Sequence, residues 1–78
     1  MPSALRIGPY RFFFYANDRG EPAHVHVQRD GKIAKFWIEP VRMDRSGRFR
    51  PNELLDIQRT IEQNQTKLLT AWNDYFNA

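Results

Sequence analysis

The sequence predicts an α+β domain: a small antiparallel sheet of three or four strands, with a long C-terminal amphipathic helix packed on one face. Three observations predict it. Short β-branched and aromatic runs, broken by turn residues, fill the first forty residues. Asp30-Gly31 is the strongest hairpin signal in the chain. From Pro51 onward, apolar residues recur at three- and four-residue spacing. One helix laid on one face of a small sheet is the simplest arrangement in which both bury their apolar sides.

Strand character begins at about residues 4–16. Leu5-Arg6-Ile7 alternates, Gly8-Pro9 offers a turn, and Tyr10 to Tyr15 is dense in aromatic residues. Tyr10, Phe12 and Phe14 share one face, and Arg11, Phe13 and Tyr15 the other. Aromatics on both faces predict a central strand, or one covered by a partner. Asn17 to Pro22 is a polar loop. A second strand over 23–29 returns through Asp30-Gly31 into a third over 32–39, because both central positions of a type I′ turn need positive φ. That two-residue loop sets the register: Val27 faces Ala34, Val25 faces Phe36, His26 faces Lys35 and His24 faces Trp37. Pro40 interrupts the sheet and leaves at most a short edge segment over 41–43.

Pro51 suits the first position of a helix, and Glu53 lies near the positive end of its dipole. Leu54, Ile57, Ile61, Leu68, Trp72, Tyr75 and Phe76 form one stripe, so the helix is expected over about 51–76. Gln65 interrupts the stripe, which places a bend, or a break into two helices, near Asn64-Gln65.

Seventy-eight residues, read as a single domain over 1–78, can bury one modest core. With no cysteine, neither disulfides nor thiolate zinc sites hold the chain together, and a cytoplasmic location fits. No N-terminal stretch reads as a signal peptide, and no apolar run approaches the ~20 residues of a membrane span, so no membrane partner is expected. The formal net charge is +3, and its distribution matters more than its size. Arg42, Arg45, Arg48 and Arg50 crowd nine residues with Asp44 the only acid among them, while Glu53, Asp56, Glu62 and Asp74 follow on the helix. A solvated loop would look like this, and so would a surface for RNA or another polyanion, since arginine holds phosphate in a fork.

The most informative stretch is His24-Val25-His26-Val27, which holds both histidines of the chain. On a strand, residues i and i+2 point to one face, so the two rings project side by side. Three readings follow. As an acid–base pair, His24 and His26 would move protons in RNA cleavage, with Lys35 and Arg42 on the phosphate, Arg45, Arg48 and Arg50 guiding the substrate, and Tyr10 and Tyr15 as proton donors or base-stacking platforms. As metal ligands, they supply two nitrogens and lack a third partner; Asp18, Glu21 or Glu39 could complete the set in space, but no spacing points to any of them. No cofactor or structural metal is therefore expected. As packing groups, they would simply stack and hydrogen-bond against neighbours such as Trp37.

Taken together, Leu5-Arg6-Ile7-Gly8-x-Tyr10-Arg11-Phe12, Glu21-Pro22-x-His24-Val25-His26-Val27 and Ala34-Lys35-Phe36-Trp37-Ile38-Glu39-Pro40 resemble the bacterial domain-of-unknown-function family 4160. The helix start Pro51-x-Glu53-Leu54 and the ending Leu69-x-x-Trp72-x-x-Tyr75-Phe76 match as well. The resemblance implies a short bacterial protein without an assigned activity. Genes of this family often lie beside those of a second small family, DUF 2442, which suggests toxin–antitoxin-like pairs and a cognate small protein as partner. Two positions depart from the pattern. Ala23 stands where a second proline is common, and Arg50 where a serine often precedes the helix-starting proline. The expected function is thus a toxin–antitoxin-type component that binds RNA or another polyanion, with ribonuclease chemistry at His24 and His26. The rival is a non-enzymatic interaction module that binds a partner or a second copy of itself.

Overall fold

The computed structural model describes residues 3–77. Five strands follow one another across a single antiparallel sheet: β1 (Ser3–Ile7), β2 (Tyr10–Phe13), β3 (His24–Arg29), β4 (Lys32–Ile38) and β5 (Val41–Arg45). A 3-10 turn over Ala16–Gly20 joins β2 to β3. Two helices close the chain, α1 (Pro51–Gln63) and α2 (Gln65–Asn77).

The sheet has five strands rather than three or four, for two local reasons. Gly8, at φ +54°, turns the chain so that the first run splits into β1 and β2, paired from Leu5↔Phe12 to Ile7↔Tyr10. Pro40 does not end the sheet, because it sits in the Glu39-Pro40 turn, whose peptide bond is cis, where the ladder needs no donor. The chain therefore returns as an edge strand, with Trp37 opposite Arg42 and Ile38 opposite Val41. β2 lies between β1 and β3, the central placement that its two aromatic faces predict.

The β3–β4 hairpin has the expected register, His24↔Trp37 and His26↔Lys35 included. Asp30 (φ +50°) and Gly31 (φ +77°) both lie in the left-handed region that the two-residue turn requires.

The single long helix is instead two. At Asn64 (φ −119°, ψ 20°) the backbone leaves the helix, and the Asn64 amide donates to the carbonyls of both Thr60 and Ile61 at 3.1 Å. Its side-chain amide reinforces the stop through Thr60 O at 2.8 Å. At the other end of α1, Arg50 offers no capping oxygen; Glu53 reaches back instead and accepts the Arg50 amide at 3.0 Å.

The core fills one face of the sheet. Phe12, Val25, Val27, Ala34, Phe36 and Ile38 meet Ile57 and Ile61 of α1 and Leu68, Trp72 and Phe76 of α2. Each large apolar side chain buried this way contributes about 1.5–3 kcal/mol before entropy is counted. The second helix also seals one end of the sheet, where Trp72 meets Phe14 at 5.4 Å between ring centroids. Phe13 points to the opposite face and yet is only 1% exposed. Arg11 lies over its ring at 4.5 Å, and Tyr15 and His26 flank it at 5.3 and 5.5 Å, so its burial needs no partner chain. Among the described residues, no helix is long and apolar enough to cross a membrane.

Candidate functional site

Both helices pack mainly on the core face, with Trp72 of α2 reaching His24 at the end of the sheet. This leaves most of the other face to Arg6, Arg11, Phe13, His24, His26, Gln28, Ile33, Lys35, Trp37, Arg42 and Arg45. The histidines sit in the middle of this face because β3 is the third of five strands. Tyr10 does not join them. Its strand position turns it into the core beside Phe49, where it is 4% exposed, so it offers no stacking platform. Tyr15 does join them, at 4.5 Å from the His26 ring.

What the sequence did not single out is Asp18. The polar loop folds as the 3-10 turn and lays this residue over the two imidazoles. The turn is held by the Asp18 amide on Tyr15 O and by the Tyr15 amide on Asp18 Oδ2, at 3.1 and 2.9 Å. Asp18 is 7% exposed, and its Oδ2 lies 3.1 Å from Nε2 of both His24 and His26. Ligand atoms of all three residues lie within 4.8 Å of one another. Glu21 and Glu39, the other candidates for a third ligand, are elsewhere: Glu21 is bound to Lys35, and Glu39 sits exposed in the turn before β5.

The two rings are held differently. His24 is fully buried, with Trp72, His26 and Trp37 rings at 5.0, 5.2 and 5.6 Å. Its Nδ1 lies 2.9 Å from the Pro22 carbonyl, which can only accept, so Nδ1 carries a proton. In the neutral ring Nε2 is then a bare lone pair. It has no hydrogen-bond partner among the described residues, since its approach to Asp18 lacks hydrogen-bond direction. His26 does bond Asp18 through Nε2 and retains 12% side-chain exposure. Burial pushes the His26 pKa down, outweighing the upward pull of Asp18. At Asp18 burial pushes upward, but the Tyr15 amide, joined by His26, prevails and holds the carboxyl below its usual range.

This geometry bears on the acid–base reading. A general acid or base must come within hydrogen-bond reach of the substrate, directly or through one water. His24 is sealed behind Trp37, Trp72 and His26, so a phosphodiester has no route to it in this structure. Lys35 stands beside His26, but its ammonium is engaged by Glu21 at 2.7 Å and Asp44 at 3.6 Å.

The arginines divide. Arg42 and Arg45 lie on the exposed edge strand, with the Arg45 side chain 80% exposed. Arg48 (φ +72°) and Arg50 belong to the loop that leads into α1. Sequence reasoning passed over Arg6 and Arg11, which the first hairpin sets directly opposite each other. Like charges in that position repel. Neither has a carboxylate within salt-bridge distance among the described residues. Arg11 donates to Gln28 Oε1 at 2.9 Å, and with Arg6, Pro9, Arg29 and Asp30 these residues line a shallow depression. The Gly8-Pro9 turn signal was enough to pair these two strands, and the register would have exposed the Arg6–Arg11 juxtaposition.

A separate feature lies on the helix side. Met43 (43% exposed) and Leu55 (48%) border an apolar groove with Phe36, Pro51 and Leu54, next to the free edge of β5.

No curated protein and no solved structure matches this chain. The sequence model of one family, described as a domain of unknown function (DUF4160), matches residues 10–73, a span that runs from β2 to α2 and includes Asp18, His24 and His26. The chain belongs to that family.

Proposed function

We propose that the helix-free face of the sheet binds single-stranded RNA or a similar polyanion, as one component of a two-protein pair of the toxin–antitoxin type. One observation carries the binding reading: the two sides of the sheet differ in net charge. Arg6, Arg11, Lys35, Arg42 and Arg45 share the helix-free face with the half-buried ring of Trp37 and outnumber Asp18, Glu21 and Asp44 there. The helices carry Glu53, Asp56, Glu62 and Asp74 against Arg59 and Lys67. Arginines beside an aromatic ring on an open antiparallel sheet suit the backbone and bases of a single strand. With His24 sealed, the reading is binding rather than cleavage by a histidine pair.

The test is fluorescence anisotropy of a labelled RNA oligonucleotide. A footprint of about four phosphates predicts about a 50-fold loss of affinity between 50 and 200 mM salt. The variant Arg6→Ala, Arg11→Ala, Arg42→Ala, Arg45→Ala should weaken binding and flatten that slope. No binding at low salt, or binding unchanged in the variant, overturns the reading. The rival, a protein-interaction module, draws on the exposed Met43 and Leu55 beside the free edge of β5. It predicts a concentration-dependent mass in sedimentation that Leu55→Glu abolishes, with no salt-dependent RNA binding.

A further inference from the structure

We infer that Asp18, His24 and His26 form a binding site for one divalent transition metal ion of the zinc type. This goes beyond polyanion binding and does not depend on it.

Three independent features meet at this point. The first is the donor set. Two imidazole nitrogens and one carboxylate, drawn from β3 and the 3-10 turn, are the ligands that zinc, cobalt, nickel and iron(II) favour; magnesium and calcium prefer oxygens throughout. The second is spacing. Ligands about 2.0–2.1 Å from a tetrahedral metal stand about 3.3 Å from one another. Asp18 Oδ2 is 3.1 Å from each Nε2, so both carboxylate–imidazole distances already lie close to those around a shared ion.

The third feature is the state of His24. A fully buried nitrogen with no hydrogen-bond partner costs about 1–3 kcal/mol. Here the cost arises because the Pro22 carbonyl fixes the proton on Nδ1 and leaves the Nε2 lone pair unbonded, beside a carboxylate oxygen at which it does not point. The two acceptors lie 3.1 Å apart, and a cation bound to both, off the line that joins them, turns their repulsion into two bonds. A backbone carbonyl on the far nitrogen is also the usual way a metal-bound histidine is oriented. A proton on Nε2 would relieve the same repulsion, but it would have to point at Oδ2, and this contact lacks that direction.

The site is anchored on both sides. The Tyr15 amide fixes the carboxylate, while Trp37 and Trp72 hold the His24 ring from its flanks. Three protein ligands leave at least one coordination position for water or for a group on a partner molecule. His26 and Tyr15, the partly exposed members, form the side from which an ion could enter.

The experiment uses untagged, chelator-treated protein, titrated with Zn2+ by calorimetry and with Co2+ by visible absorption. The expected result is one metal per chain, with the Co2+ bands of a low-coordinate nitrogen–oxygen site. Asp18→Asn and His26→Gln should each weaken Zn2+ binding by about tenfold or more. Circular dichroism checks that each variant is folded, and His26→Gln keeps the assay decisive should Asp18→Asn not fold. Glu21→Gln, one turn away and bound to Lys35, should leave metal affinity unchanged. Three results would overturn the inference: no Zn2+ or Co2+ binding below ~100 µM in folded protein, affinity unchanged in both triad variants, or affinity lost equally in Glu21→Gln.

Discussion

Replacing Gly47 by alanine probes how the chain passes from the sheet into α1. Gly47 lies just beyond β5 at φ +57°, and a β-carbon there would collide with the Ile33 carbonyl and the Ala34 amide nitrogen. Gly31, in the β3–β4 turn at φ +77°, has nothing within 4 Å of the same position. Both substitutions force a side chain into the left-handed region, at about 1–2 kcal/mol. Only Gly47→Ala adds a collision with backbone. Ile33 is fixed in β4 opposite Gln28, so the loop must give way. Lifting it breaks the bond from the Phe49 amide to Ser46 O (3.1 Å) and draws Phe49, 5% exposed, away from Tyr10 and Lys32.

Complete loss of a buried phenyl ring costs about 3–5 kcal/mol, which bounds the effect from above. Gly47→Ala should therefore cost about 2–4 kcal/mol more than Gly31→Ala, reflecting partial expulsion of Phe49. Urea unfolding followed by the fluorescence of Trp37 and Trp72 measures both. A small domain holds only about 5 kcal/mol in total, so Gly47→Ala should lose much of its folded baseline while Gly31→Ala keeps its transition. Losses equal to within about 0.5 kcal/mol would refute the argument, since additivity errors are of that size.

Two further perturbations test the frame around the site. The Arg50 amide, opposed by burial and joined by Lys32, holds the Glu53 carboxyl below its usual range. A depressed folded pKa contributes stability above the ordinary carboxylate range and loses it as pH falls through the folded value. Wild-type protein should thus exceed Glu53→Gln in urea midpoint near neutrality, and the gap should close between about pH 5 and 3; a gap constant across that range would disprove the pairing. Trp72→Ala empties the space between Phe14, Phe76 and His24 and should cost about 3–5 kcal/mol in the same assay. A loss under about 1 kcal/mol would mean that α2 does not seal that end of the sheet.

Much of the fold was legible because the signals were local. Asp30-Gly31 sets a two-residue turn, and a period-two pattern then fixes every pair from Arg29↔Lys32 to His24↔Trp37. The strand count was legible only in part: Gly8-Pro9 signals the turn that splits β1 from β2, while proline's meaning depends on whether its position needs a ladder donor. Pro40 sits at a turn, where it costs the sheet nothing, and β5 follows. The helix break at Asn64 was half legible: Gln65 marks where the stripe falters, but a bend and a stop differ only in backbone angles and in the Asn64 bonds to Thr60 and Ile61.

The site divides along the same line. His24 and His26 were readable as a pair because one strand carries both. Asp18 lies six and eight residues upstream, in a loop whose path no periodicity sets. Its place over the imidazoles depends on the 3-10 turn, and that turn depends partly on Asp18's own carboxylate accepting the Tyr15 amide. The residue that would complete the ligand set therefore also builds the loop that carries it. Alanine at this position would remove both roles at once and could not separate them. Asparagine keeps a carbonyl oxygen for the Tyr15 amide, removes the negative charge and puts an NH2 group in place of the second oxygen. A loss of metal affinity in a folded Asp18→Asn protein would then report on the charge facing the two imidazoles, and not on the path of the loop.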